Sequence, residues 1–167
     1  MIDIHTYHFR VGRVIDGDSI EGDILQGFSQ VMEDVQIRVW GIDAHEKSPR
    51  KSKWPDPVER AAEKARGKAA HAYMKAIVKT AMNKKRRLII QTALDDRKQK
   101  GKFGRVLAVL FPTDATECDP MWSLNYLMLS ADHAVPYFGG KKGIKLPISK
   151  FTEKYATTFL STSGKRK

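Results

Sequence analysis

The chain has 167 residues, 41% of them hydrophobic, which is enough for one self-sufficient core and excludes a wholly disordered protein. Its 30 Lys and Arg outweigh 19 Asp and Glu for a formal net charge of +11, the footprint of a polyanionic partner. A single cysteine, Cys118, excludes an internal disulfide, and no apolar run approaches membrane-spanning length.

The opening MIDIHTYHFRV lacks the basic and apolar regions of a signal peptide. The chain as written is therefore expected to stay in the cytoplasm, as a monomer without membrane contact; a processed secreted protein would read the same way. Phe9 to Ile15 and Ser19 to Leu25 flank Asp16-Gly17, a dipeptide suited to a tight hairpin turn. Val35, Ile37 and Val39 alternate with Gln36, Arg38 and Trp40, the pattern of a half-buried strand. The period turns helical from Pro57 to about Met82, with Asp56 as N-cap, Pro57 at the first position and Glu59 complementing the dipole. Ala61, Ala62, Ala65, Ala69, Tyr73, Ala76 and Ile77 form its expected buried stripe, and Gly67 within it suggests a close approach. Leu88 to Leu94 and Arg105 to Phe111 are β-rich runs joined by the polar loop DDRKQKGKFG. Helices are expected over about Ser123 to His133 and Ile148 to Leu160.

Three strands, a helix, two strands and further helices make an α+β order. Five short strands with a helix between the third and fourth suit a five-stranded OB-fold Greek-key β-barrel with about three helices. Periodicity leaves a split α/β sandwich open. One domain is expected over residues 1–163, followed by a basic tail, 164–167. Basic residues gather at Arg50, Lys51 and Lys53, at Lys84 to Arg87, and along Arg97 to Arg105. Nucleic acid, DNA or RNA, is the polyanion that such clusters and an OB barrel both favour.

The chemistry concentrates in RVWGIDAHEK, residues 38–47. Asp18, just past the hairpin turn, and Asp43, just past the third strand, can together hold one hard cation, with waters and a backbone carbonyl completing an oxygen shell. No Cys/His set has zinc spacing: an HExxH pattern begun at His45 fails at Pro49. There is neither a Walker loop nor a serine elbow. A cation, the carboxylate of Glu46 and two arginines, Arg38 and Arg105, are the set that phosphodiester hydrolysis needs. Each also has an ordinary reading: Asp-Gly-Asp is common turn chemistry, and an arginine on a strand is often only solvated.

VIDGDSI, RVWGIDAHE and KFGR, in this order, resemble the DGDT-like turn, the R-x-x-x-x-D-x-P-E strand end and the K-Y-G-R turn of the staphylococcal nuclease family. The stretch from Asn125 through ADHAVPY is similar to that family's asparagine-bearing helix and following aromatic segment, so the likeness covers roughly residues 9–138. The resemblance implies an OB-barrel endonuclease, a metal-dependent phosphodiesterase using calcium and acting on DNA and RNA to leave 3′-phosphates. It implies calcium ligation by Asp18, Asp43 and the Ala44 carbonyl, with Asp16 bonding metal-bound water behind them. Glu46 would be the general base, Arg38 and Arg105 the phosphate clamps, and Lys102, Phe103 and Tyr137 the substrate contacts. The chain departs from the family in carrying Phe103 for tyrosine, Ser19 for threonine and His45 for proline. His45 is expected to be a solvent-exposed bystander, since imidazole does not suit a hard oxygen site. The alternative to an enzyme is a catalytically weak or inactive OB-fold module that binds nucleic acid. In a third reading the barrel is a protein-interaction domain, with its basic loops incidental.

Overall fold

The computed structural model describes residues 3–94, 105–142 and 144–160. The polar loop 95–104, including Lys102 and Phe103, and the basic tail 164–167 lie outside the described residues. Strands β1 (Asp3–Asp16), β2 (Ser19–Gly27), β3 (Gln30–Val39), β5 (Arg87–Leu94) and β6 (Val106–Phe111) form a closed barrel in the order β1-β2-β3-β6-β5. β5 closes it by pairing antiparallel with β1, and β3 runs parallel to β6, a pairing that needs a long crossover. The crossover contains β4 (Ile42–Ala44), helix α1 (Pro57–Ala81) and β5. After β6 come a 3-10 turn (Pro120–Trp122), α2 (Leu124–Ser130), β7 (Ala134–Pro136) and α3 (Ser149–Tyr155), which runs into a π-helical turn at Ala156–Leu160. The expected α+β barrel of OB type is thus the architecture of this chain. Among the described residues, no helix is long and apolar enough to cross a membrane.

The barrel interior is filled by Phe9, Ile20, Ile37, Leu88, Ile90 and Leu110, all with no exposed surface. β6 is buried on both faces. Ala108 and Leu110 join the barrel core, whereas Val109 and Phe111 pack with Tyr155 and Phe159 on the outside. That is why VLAVLF is a continuous apolar run rather than an alternating one. Asn125, fully buried on α2, accepts a hydrogen bond from the Leu110 amide (2.9 Å) and donates one to the Trp40 carbonyl (2.7 Å). It thereby ties α2 to β6 and to the turn that follows β3.

α1 starts as expected: the Asp56 side chain accepts from the Val58 and Glu59 amides. Its buried face differs from the expected stripe. The inward residues are Glu63, Gly67, Ala70, Met74 and Val78, while Ala61, Ala62, Ala65, Ala69 and Ala76 face solvent. Alanine suits helices anywhere and has little apolar area to bury, so the alanine periodicity reported propensity and not packing.

Candidate active site

Asp18 is held at the mouth of the barrel by a two-residue turn. Asp16 pairs with Ser19 across it, so Asp18 is the second turn residue and not, as expected, a residue past the turn. A β-carbon on Gly17 would lie 2.7 Å from the Ala44 β-carbon and 3.0 Å from that of Ala70. Only glycine lets this turn sit against both β4 and α1. The Asp18 carbonyl accepts the Val39 amide at 2.9 Å, which fastens the turn to the end of β3. Gly41, with a φ of 77°, then reverses the chain into β4, where Asp43 pairs with Val135 of β7. Asp43 therefore belongs to a short strand of its own.

These connections bring the two acids to one guanidinium. Arg38, paired with Ser19 in the β2–β3 ladder, forms an ion pair with the Asp18 carboxylate through Nη1 and donates from Nη2 to Asp43 Oδ1 at 2.9 Å. Nη1 also donates to the Asp18 carbonyl at 3.2 Å. Asp18 is only 9% exposed, and its Oδ2 also accepts the Ala44 amide at 2.8 Å. Ser19 Oγ donates to its Oδ1 at 3.3 Å, and Asp16 Oδ1 accepts the Asp18 amide, also at 3.3 Å. Burial pushes the Arg38 pKa below the ordinary guanidinium value; Asp43 and Asp16 oppose that shift, and the like charge of Arg105 adds to it. A guanidinium stays charged in proteins, so Arg38 and Arg105 bring two cations to the lining of one space.

That space is an open cavity of about 510 Å³ lined by Asp16, Asp18, Arg38, Asp43, Ala44, Glu46 and Arg105, all seven named from the sequence. A neighbouring cavity of about 660 Å³ shares Arg38, Arg105 and Lys142 with it and is walled by Trp40, Tyr137 and Phe138. Tyr137 donates its hydroxyl to the Gly140 carbonyl at 3.1 Å, and the Phe138 ring packs 5.3 Å from that of Trp40. Lys102 and Phe103, the other expected substrate contacts, are outside the described residues.

Three site residues were not foreseen. Lys142 donates to Asp43 Oδ1 at 2.9 Å and stands 5.6 Å above the Tyr137 ring. Its signal was the GGKKG loop, glycines beside lysines near an aromatic segment. Lys53 pairs with Glu46 Oε1 at 2.5 Å. Glu63 of α1 accepts the Glu46 amide at 2.8 Å and lies 3.1 Å from His45 Nδ1. An acid inside an alanine-rich helix carries no mark of burial, so nothing in the sequence pointed to it. His45 is consequently not a solvated loop residue: its side chain is 30% exposed and is engaged with a buried acid.

The carboxylates lining the cavity, Asp16, Asp18, Asp43 and Glu46, offer oxygen, which fits a hard cation; His45 lines it too, with Nδ1 engaged by Glu63. Among the described residues no group of three or more His, Cys, Asp or Glu is placed to hold a metal. An ion here would rest on Asp18 and Asp43 with backbone, water and phosphate oxygens. The two carboxylates lie within the span of one guanidinium, so their charges converge as such an ion needs. Compared with known protein families and with curated proteins, the chain matches none.

Proposed function

We propose that this protein is a calcium-dependent, sequence-nonspecific nuclease that hydrolyses phosphodiester bonds of DNA, and of RNA by the same chemistry, leaving 3′-phosphates. The reading agrees with the motif resemblance to the staphylococcal nuclease family. One observation supports it above the others. Asp18 of the β1–β2 turn, Arg38 of β3, Asp43 of β4, Glu46 just after β4 and Arg105 just before β6 line one open cavity.

Asp18 and Asp43, with the Ala44 carbonyl, are the residues that would hold the calcium, and a cation bound there polarises a phosphate oxygen. Arg38 and Arg105 bind the phosphate and neutralise the charge that grows on its oxygens. Glu46 takes the proton of the attacking water. Asp16 holds the Asp18 amide and keeps the turn in shape. Tyr137 and Phe138, walling the second cavity, offer flat apolar surface to a nucleobase beside that phosphate.

A second reading has an observation of its own. Arg38 spans Asp18 and Asp43, Lys142 also holds Asp43, and Lys53 holds Glu46, so every acid of the set already has an internal cation. That arrangement favours an OB-fold module that binds nucleic acid without cutting it. Digestion of plasmid, single-stranded DNA and RNA, with calcium, magnesium, zinc and chelator compared, separates the two. The nuclease reading expects calcium-dependent cleavage that drops on the order of 10²-fold or more in Glu46→Gln and in Arg38→Ala. Cleavage unchanged in both variants, or DNA binding with no cleavage under any metal, sinks it.

A further inference from the structure

Glu63 is only 4% exposed, on a helix whose neighbouring turns carry charged residues at the surface. Burying a carboxylate is expensive unless each oxygen finds a donor. Both do. Oε1 accepts the Glu46 amide at 2.8 Å, and Oε2 lies 3.1 Å from His45 Nδ1 and 3.3 Å from an Arg66 guanidinium nitrogen. Two of these three partners, His45 and Glu46, are consecutive residues of the loop that carries the candidate general base.

One turn further along α1, the same loop rests directly on the helix backbone. A β-carbon on Gly67 would lie 2.2 Å from the Glu46 carbonyl carbon and 2.3 Å from the Lys47 nitrogen. The flanking residues are fastened to β1 and its turn. The Ala44 amide donates to Asp18, and the Lys47 ammonium donates to the Ile15 carbonyl. Residues 44 to 47 are therefore each tied down, and the Glu46 side chain still lines the cavity, 36% exposed. A carboxylate that must meet one water and one phosphorus tolerates about 0.5 Å of error, which a loop held only by its ends does not provide.

We propose that Glu63, with His45 as its partner, is a positioning residue that fixes the Glu46 backbone so that its carboxylate points into the phosphate cavity. The inference rests on the nuclease reading given above and adds to it a device outside the reacting set. His45 occupies the place where the resembling family has proline. A donating imidazole bonded to a helix acid here takes over the loop-stiffening that a proline ring gives through its fixed φ.

The test compares Glu63→Ala, Glu63→Gln and His45→Ala with the wild type by two readouts. The first is amide hydrogen exchange at Glu46, and the second is steady-state cleavage of single-stranded DNA with calcium. Glutamine keeps a carbonyl oxygen for the Glu46 amide, and alanine does not. Glu63→Ala should lose Glu46 protection and lower kcat on the order of 10-fold to 100-fold at unchanged KM. Glu63→Gln should recover most of both, and His45→Ala should fall between them. Should Glu63→Ala not fold, Glu63→Gln and His45→Ala carry the same comparison. His45→Ala with wild-type protection and wild-type kcat then overturns the proposal. So does a folded Glu63→Ala with either readout unchanged, or one in which KM rises and kcat does not fall. If the wild type cleaves nothing, the nuclease reading fails and positioning for catalysis fails with it. The exchange data then still report whether Glu63 anchors the loop.

Discussion

Arg38, half-buried, and Glu63, buried, are charges placed on either end of the segment from Asp43 to Glu46. Arg38 reaches the acids of the cavity, and Glu63 holds the backbone behind Glu46. For Glu63 burial is the largest influence and raises the pKa. The Glu46 amide, His45 and Arg66 together outweigh it and leave the carboxyl below its ordinary 4.5. A depressed folded-state pKa stabilises the protein above the unfolded-state value, and that contribution disappears as pH falls through the folded value. The wild type should therefore lose stability below pH 4.5 more steeply than Glu63→Gln, and urea midpoints measured down the acid range should converge. Parallel curves for the two proteins would show that the ionised form gains nothing from these partners.

Among the elements, α3 bears a measurable load because its π-helical extension and β6 share a small apolar cluster of Val109, Phe111, Tyr155 and Phe159. Tyr155 is fully buried, and its hydroxyl donates to Gln91 Oε1 at 2.5 Å and lies 2.8 Å from the Cys118 carbonyl. Burial, the nearby Cys118 and Asp119 all push its pKa well above the ordinary 10.0, so the phenol keeps its proton at neutral pH. Tyr155→Phe preserves the ring stack on Phe159 and leaves a buried Gln91 oxygen without its donor. The expected cost is about 1–3 kcal/mol, read as a lower urea midpoint at unchanged m-value. Tyr155 lines neither cavity, so cleavage by the folded variant should be unaffected.

Over the whole molecule, a net charge of +11 gives long-range attraction to any polyanion, whatever the site does. The cavity that holds the acids continues through Ser48 and Arg50 into a groove of about 490 Å³ bordered by Arg60 and Lys64. If a nucleic acid strand follows that groove, log affinity falls linearly with log salt, because each neutralised phosphate releases counterions. Replacing Arg60 and Lys64 together by alanine should weaken single-stranded DNA binding alike for all sequences and flatten the salt slope by about 1 to 2. An unaltered slope would place the strand elsewhere on the surface.

What the sequence determined by itself is local. Turn chemistry at Asp16-Gly17, alternation along Val35 to Val39, the Asp56 cap and the apolar run of β6 each depend on neighbours in the chain. They led to the barrel and to the residues lining the cavity. Tertiary structure decided what depends on distant partners. Alanine spacing marked the wrong face of α1, because propensity does not say which side meets the barrel. Glu63 is charged, helical and indistinguishable in sequence from Glu59, yet one is 4% exposed under the loop and the other faces water. Lys142 meets Asp43, ninety-nine residues away in the chain, after two glycines of positive φ, Gly139 and Gly140. His45, a bystander on its spacing alone, becomes part of the site through an acid eighteen residues away. Burial and pairing are properties of the assembled surface, and a local pattern of residue types cannot encode which surfaces meet.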